Sequence, residues 1–394
     1  PAPAAPARTS LKTVATLPPP PAPADAVDEI GLFVTSNGLG EVVDCGCRQK
    51  PLGGLARRAL WLKERASKYK ATLAVDSGGM LVADPGAVVE PAQELESRTR
   101  AIFRALAHMG YAAVNVGPHE VAIAVANLRR LATEHKVPLV SANIIDAATG
   151  KTAFPAQVVT TIGGLKVGII GLTTADPPAR EALFERQGLK IADPVAAARP
   201  VVTALRQQGC QLIIALSELN RGELDDLGEK VPEIDLVVGS KEMELTMRPE
   251  FLGRGYYVDP YNKGKWVGEI KVRPGTDVAR WLVSDLRDKL EIERVRLERE
   301  IAYYNKQFTE EDAPGAKKTL DERARKFAEE RFAGAKARLQ RVRLEMSGSI
   351  DPKSGSSTLQ LKMVPMNADE LAEDPDVFAM IDEHIRVYPP PKHN

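Results

Sequence analysis

Residues 30–40 read IGLFVTSNGLG. The apolar run at the start is typical of a buried β-strand, and a polar loop with two glycines follows it directly. Further apolar runs of the same kind follow at 71–76, 112–116, 138–141, 156–161, 165–172, 210–216, 235–239 and 266–272. Helical patterns separate them at 54–69, 92–109, 120–135, 195–208 and 221–230. Because buried strands alternate with helices, the sequence predicts a layered α/β fold. Ligands of such folds bind in the loops that follow the strands, here 36–53, 77–91, 116–120, 217–222 and 239–246.

The overall composition excludes several classes of protein. Lysine plus arginine and aspartate plus glutamate both number 53 among 394 residues, and this balance argues against a general nucleic-acid-binding protein. Hydrophobic residues make up 44% of the chain but aromatic residues only 5%, so the core must consist mainly of aliphatic side chains. No apolar run reaches the roughly 18 residues that a membrane-spanning helix needs. The three cysteines do not decide the cellular compartment.

The chain divides by composition into four segments. Residues 1–27 are rich in proline and alanine, which predicts an extended tether. Residues 28–275 carry the α/β pattern, and residues 276–347 carry long helical patterns. Residues 348–394 contain a strand pattern, a short helix for which Asp374 is a suitable cap, and a proline-rich tail.

The third segment predicts a C-terminal antiparallel helical hairpin. Apolar residues recur at steps of four and three in both halves, 277–308 and 316–346. Pro314 and Gly315 break the helix between these halves. Two interpretations remain open: the hairpin packs back on its own domain, or it is a docking arm for a protein partner.

Several short segments, in this order, carry a resemblance to a known family. They read IGLFVTSNGLG, LAVDSGGML, VNVGPHEVA, LVSANI, VGIIGLTT, LSELNRGELD, DLVVGSKEM and KGKWVGEIKV. Over residues 29–272 the chain resembles the 5′-nucleotidase branch of the calcineurin-like metallophosphoesterases. The resemblance implies a four-layer αββα sandwich with a two-metal site on loops at one edge of the sheets.

The metal-ligand motifs of this family are degenerate here. The family motif H-T-N-D-x-H-G reads VTSNGLG, G-D reads GG, G-N-H-E reads GPHE, L-S-H reads LSE, and G-H-x-H reads SKEM. The ligand positions are therefore occupied by Asn37, Leu39, Gly79, Pro118, Glu218, Lys241 and Met243. Asn37 and Glu218 still offer oxygen atoms, but two ligands do not make a dinuclear site. The sequence accordingly predicts no bound cofactor.

One residue of the family's catalytic set is retained. His119 stands at the position of the histidine that assists the leaving group in the family. The alternative for His119 is a polar loop residue or a cap for the helix predicted at 120–135.

The segment Asp44-Cys45-Gly46-Cys47-Arg48, followed by GGLARR, is the most distinctive local feature. It resembles a bacterial subset of 5′-nucleotidase-like domains that is associated with multihaem c-type cytochrome modules. Three states of Cys45 and Cys47 remain open: a local disulfide, two reduced thiols, or contact with a metal or a haem edge. Cys210 opens a strand and is expected to be buried and inert.

Three functional hypotheses follow from this sequence. The first is a non-catalytic scaffold or partner-binding protein, exported to the periplasm or cell surface of a bacterium. The second is a metal-dependent phosphoesterase of the 5′-nucleotidase type with residual activity. The third is a redox accessory protein of a multihaem cytochrome assembly that uses Cys45 and Cys47. The expected partners are proteins, among which a multihaem cytochrome is one candidate. No nucleic acid is expected, and membrane contact is expected only through a tether or a partner.

Overall fold

The structure, a computed structural model, describes residues 29–45, 50–174, 178–312 and 321–390. The predicted tether over 1–27 and the second cysteine of the pair, Cys47, lie outside these residues. Among the described helices, none is long and apolar enough to cross a membrane.

The described strands and helices alternate along most of the chain. The strands are β1 (Ile30–Thr35), β2 (Ala71–Asp76), β3 (Tyr111–Asn115), β4 (Leu139–Val140), β5 (Ile144–Asp146), β6 (Gln157–Ile162), β7 (Leu165–Thr173), β8 (Leu189–Ile191), β9 (Leu212–Glu218), β10 (Leu236–Gly239), β11 (Glu250–Leu252), β12 (Gly255–Val258), β13 (Trp266–Arg273), β14 (Asp277–Val283) and β15 (Ser356–Pro365). The helices are α1 (Leu55–Ala66), α2 (Ala92–His108), α3 (Pro118–Val121), α4 (Val125–His135), α5 (Pro178–Arg186), α6 (Pro194–Gln207), α7 (Arg221–Lys230), α8 (Leu286–Glu311), α9 (Glu322–Gly348) and α10 (Pro375–Ile385).

Two large sheets form the centre of the molecule. A seven-stranded sheet has the order β14-β15-β13-β1-β2-β3-β4, and a six-stranded sheet has the order β11-β12-β10-β9-β7-β6. Strands β1 to β4 run parallel, as do β7, β9 and β10, so their carboxyl ends meet at one edge of each sheet. This edge carries the loops that the sequence singles out.

Alternation along the strands divides the core into three layers of apolar contact. In β1, Leu32 and Val34 pack between the two sheets, whereas Phe33 packs under α1 and α2. In β9, Ile213 packs on the opposite side, in the cluster that contains residues of α6 and α7. Helices therefore cover both outer faces, and the predicted four-layer αββα sandwich is confirmed.

The predicted helical hairpin is present as α8 and α9. The two helices run antiparallel, because Glu293, Glu300 and Asp312 of the first half pair in turn with Arg338, Arg331 and Arg325 of the second. The seam residues Leu290 and Leu297 belong to the same apolar cluster as Leu339.

Two local predictions are wrong. Residues 277–283, expected to begin the first hairpin helix, form strand β14 because they pair in parallel with β15 and bury Trp281 and Val283. The helix expected over 120–135 is divided into α3 and α4, because Ala124 has a φ of 71° that no helix accommodates. Both differences arise from tertiary contacts that outweigh the local pattern.

Candidate functional site

The loop that follows β1 is held in a left-handed backbone conformation. Asn37 and Leu39 have φ angles of 49° and 53°, which are uncommon for residues other than glycine. The N–H of Asn37 donates to the carbonyl of Gly78 at 2.8 Å, and the N–H of Leu39 donates to the carbonyl of Gly79 at 2.9 Å. These bonds tie the loop after β1 to the loop after β2.

The side chain of Asn37 is buried and committed to the backbone. Its Nδ2 donates to the carbonyl of Ser240 at 2.5 Å and to that of Tyr261 at 3.3 Å. The backbone carbonyl of Asn37 accepts from the N–H of Lys263 at 2.6 Å. Asn37 therefore joins the loops after β1 and β10 to the chain around residue 261.

Gly79 leaves no room for a side chain. A Cβ added at this position would lie 2.4 Å from Oδ1 of Asn37, and the backbone φ is 75°. Since carbon and oxygen atoms do not approach so closely without a bond, any other residue here displaces Asn37.

The substitution Gly79→Asp, which restores the family's residue, is expected to lower the free energy of unfolding by about 1–3 kcal/mol through this clash. Gly110→Asp is the matched control, because Gly110 has a φ of 69° with nothing within 4 Å of its added Cβ. Gly110→Asp therefore measures only the cost of placing a non-glycine residue at a positive φ. Equal losses for the two variants in urea unfolding would contradict the prediction.

Glu218 ends β9 and lies at the centre of the candidate site. Its side chain is 2% exposed, and Oε1 accepts from Nη1 of Arg180 at 3.0 Å. Its Oε2 receives no hydrogen bond from the residues that the structure describes, and it lies 1.8 Å from the position of a Cβ added at Gly117. Burial raises the pKa of this carboxyl to about 7, against the opposing charges of Arg180 and Lys241.

His119 lies beside this carboxyl in the short helix α3. Its Nε2 is 3.6 Å from Oε1 of Glu218, and its Nδ1 is 2.8 Å from the carbonyl of Val82. Burial lowers the pKa of His119, which favours the neutral ring. His119 thus lies in a short helix rather than in a loop, with its side chain buried between these two partners, and its role stays a prediction.

Glu120 is a further buried carboxyl of the site. Its Oε1 accepts from the N–H of Met80 at 2.7 Å, and its Oε2 accepts from the N–H of Gly117 at 3.0 Å. Burial raises the pKa of Glu120 to about 7, and the nearby charge of Glu218 acts in the same direction. Glu120 therefore joins the loops after β2 and β3.

The remaining family positions contribute no metal ligand of the usual type. Pro118 is the first residue of α3 and has neither a polar side chain nor an N–H. Met243 has a φ of 51° and its Sδ lies 3.9 Å from Nδ2 of Asn262. Lys241 lies on the same loop, and its charge lowers the pKa of Glu218.

Comparison with known proteins gives the same picture of the fold. No protein-family model matches the chain. A 5′-nucleotidase of Vibrio cholerae serotype O1 is 25% identical over 247 residues, which are 55% of this chain and 44% of that protein. The structure of a 5′-nucleotidase precursor from Thermus thermophilus superposes with a TM-score of 0.61 at 19% identity, covering 91% of this chain and 59% of the other.

A sulfate thiohydrolase, SoxB, from Thermus thermophilus also superposes, with a TM-score of 0.60 at 14% identity over 95% of this chain and 62% of the other. The chain is similar in sequence to 5′-nucleotidases and shares their fold. It spans less than half the length of the Vibrio cholerae relative.

The residues of this 5′-nucleotidase-type domain do not fit the two-metal site of the branch. The Asn37 amide donates to carbonyl groups, Glu218 pairs with Arg180, and Gly79 excludes the carboxylate that bridges two ions. Within the described residues, the group of side chains suited to holding a metal is formed elsewhere, by His108, Asp374 and Asp376. Asn37 and Glu218 instead make contacts within the protein.

Sequence reasoning missed several residues of this site. Arg180 carries no signal in the sequence, since its partner Glu218 lies on another element. Asn115, Thr173 and Ser217 end or nearly end their strands, and each has a buried side-chain oxygen that accepts no hydrogen bond from a described residue. A search for polar residues at strand ends could have found these three.

The cysteine segment of this 5′-nucleotidase-type domain is described only in part. Cys45 is half-buried, and its Sγ accepts from the N–H of Leu52 at 3.4 Å. Because Cys47 lies outside the described residues, the state of the pair stays a prediction. Cys210 is buried as expected, and burial raises the pKa of its thiol.

Proposed function

We propose that the chain is a non-catalytic, partner-binding protein built on a 5′-nucleotidase-type fold. The observation that carries the proposal is that two residues at the family's metal-ligand positions make structural contacts within the protein. Asn37 donates to the carbonyl of Ser240, and Glu218 accepts from the guanidinium of Arg180. A cation held by the protein itself thus balances a carboxylate at a metal-ligand position.

The hairpin supports the partner-binding part of the proposal. Tyr303 of α8 is 62% exposed and Phe327 of α9 is 61% exposed, in the part of the hairpin beyond its pairing with the sheets. Exposed aromatic side chains are rare in a chain with 5% aromatic residues, and aromatic residues are enriched in protein interfaces. The proline- and alanine-rich composition of residues 1–27 supports export and tethering.

A second candidate function is a phosphoesterase with residual activity. It is favoured by His119, whose Nε2 still faces a buried carboxylate at 3.6 Å, and by relatives that are named 5′-nucleotidases. The site lacks the ligands that would generate a hydroxide or stabilise the charge of a phosphoryl transition state. We therefore place this function second.

We expect the purified protein to hydrolyse AMP and p-nitrophenyl phosphate at the rate of the buffer, with or without added Mn²⁺ or Zn²⁺. The change His119→Ala should leave that background unaltered. Measurement of released phosphate and of nitrophenolate decides between the two functions. Turnover that depends on Mn²⁺ and disappears in His119→Ala would establish the phosphoesterase instead.

A further inference from the structure

A histidine and two aspartates that no part of the proposed function uses lie together on the outer helical layer. His108 is the last residue of α2, Asp374 is the N-cap of α10, and Asp376 lies in the first turn of α10. One ligand atom from each of the three lies within 4.8 Å of the others. This cluster is separate from the loops at the carboxyl ends of the strands.

The carboxylate of Asp374 provides an independent indication of a bound cation. Its side chain is 1% exposed, and its Oδ1 accepts from the N–H groups of Asp376 and Val377 at 3.0 Å each. Its Oδ2 is buried and accepts no hydrogen bond from any described residue. A buried carboxylate oxygen without a donor is costly, and an ion or a water is the usual partner of such an atom.

Two basic side chains approach the carboxylate of Asp374, one at each oxygen, without forming a hydrogen bond. Nζ of Lys63 is 4.0 Å from Oδ2, beyond hydrogen-bonding distance, and the lysine side chain is 70% exposed. Nε2 of His108 is 3.7 Å from Oδ1, which is also too long for a hydrogen bond. Two ligands of one tetrahedral ion with bonds of about 2.1 Å are about 3.4 Å apart, close to this separation.

We propose that His108, Asp374 and Asp376 bind one divalent transition-metal ion of the zinc type. One imidazole and two carboxylates suit Zn²⁺, whereas a Mg²⁺ site is built from oxygen ligands alone. His108 also lines a cavity of about 340 Å³, which lies on the side of the imidazole formed by Lys63 and residues of α1 and β2. The ion joins the end of α2 to the start of α10.

The site fixes the C-terminal segment on the helical layer. After β15 the chain crosses α1, where the N–H of Asp374 donates to the carbonyl of Ala56, and α10 then packs on α1 and α2. The metal adds a link at the first turn of α10, where a lost cap frays a helix. Zinc binding should therefore slow hydrogen exchange of the amides of α10.

The test is a titration of the full chain, freed of metal by a chelator, with zinc chloride in an isothermal calorimeter. The substitutions His108→Ala and Asp376→Asn should each weaken zinc binding by about tenfold or more. Asp374 is left intact because it caps α10. His135→Ala is the matched control, since His135 likewise ends a helix, α4, and lies beside Glu134.

Cys45→Ser is the second control, because thiolates also bind zinc. The proposal is supported if zinc binds at one equivalent, if both controls retain that binding, and if zinc slows exchange in α10. Absence of zinc binding, undiminished binding in His108→Ala, or loss of binding in Cys45→Ser would each overturn it.

Discussion

Arg248→Met is expected to lower the free energy of unfolding by about 3–5 kcal/mol, because it removes the cation that lies between two largely buried carboxylates. Nε of Arg248 donates to Glu293 of α8 at 2.7 Å, and Nη1 donates to Glu345 of α9 at 2.6 Å. The three side chains are between 9% and 15% exposed. This triad fastens the helical hairpin to the α/β domain, so its loss should also free the hairpin locally.

The matched control is Arg338→Met. Arg338 donates to the same residue, Glu293, at 3.0 Å, but its side chain is 61% exposed. Exposed ion pairs contribute at most about 1 kcal/mol, so this change should be small. Urea unfolding at pH 8 measures both variants, and equal losses would contradict the assignment of the triad.

The effect of Arg248→Met should also depend on pH. Burial already raises the pKa of Glu345, and the charge of Arg248 opposes that rise. Without the arginine, both carboxyl groups can take up protons in the folded chain, so the loss of stability should be smaller at pH 5 than at pH 8. This measurement needs no activity assay, because urea unfolding reports only the folding equilibrium.

The sequence allowed the layers of the fold to be predicted, because buried strands and amphipathic helices are local patterns. Strand β1 was expected over 30–36 and occupies Ile30–Thr35, and α7 was expected and found over 221–230. The prediction was wrong for 277–283, where pairing with β15 decides the conformation. Such pairing joins residues far apart in sequence, and no local pattern reports it.

The sequence identifies the altered metal-ligand positions of the family, but it does not predict the contacts that the residues there make. Ligand losses at Leu39, Gly79 and Pro118 are visible in aligned motifs. The contact of Arg180 with Glu218, by contrast, depends on how α5 lies across the end of β9. Such a contact between distant elements is a property of the folded chain, and no sequence pattern predicts it.

The cluster of His108, Asp374 and Asp376 illustrates the same limit. The sequence predicted Asp374 as the cap of the last helix, and its bonds to the N–H groups of Asp376 and Val377 confirm that role. Nothing local indicated that the end of α2 approaches this cap, because the two elements are far apart in the chain. The prediction of no cofactor rests on the altered ligand motifs alone and takes no account of this cluster.

Glu218→Gln is expected to stabilise the protein increasingly as pH rises, relative to the unmodified chain. Burial raises the folded-state pKa of Glu218 to about 7 from a usual 4.5. Between these values the folded chain holds a proton that the unfolded chain releases, so rising pH favours unfolding. The change in unfolding free energy from pH 5 to pH 8 is about 3 kcal/mol for one such carboxyl, and glutamine removes it.

Other titratable groups of the site also change the unfolding free energy with pH. The effect of Glu218 is therefore measured as a difference between variants. Burial also raises the pKa of Glu120 to about 7, so this carboxyl likewise lowers the unfolding free energy as pH rises. Burial lowers the pKa of His119, which contributes the opposite sign, since stability then falls as pH drops below the unfolded value near 6.5. Glu218→Gln also removes the charge that helps to raise the pKa of Glu120. The difference between the two curves therefore reports Glu218 together with its interaction with Glu120.

Glu383→Gln is a control for which the expected pH dependence of stability has the opposite sign. The bond from Arg104 lowers the pKa of Glu383, and this carboxyl is exposed, so its substitution should give a small loss that appears at neutral pH and disappears in acid. Urea midpoints at pH 5, 6, 7 and 8 measure all three proteins. Parallel curves for Glu218→Gln and the unmodified chain would show that Glu218 is ionised across this range, fully balanced by Arg180. A widening gap toward pH 8 would instead establish that the guanidinium only partly replaces the charge that two metal ions supply in the enzymes of this branch.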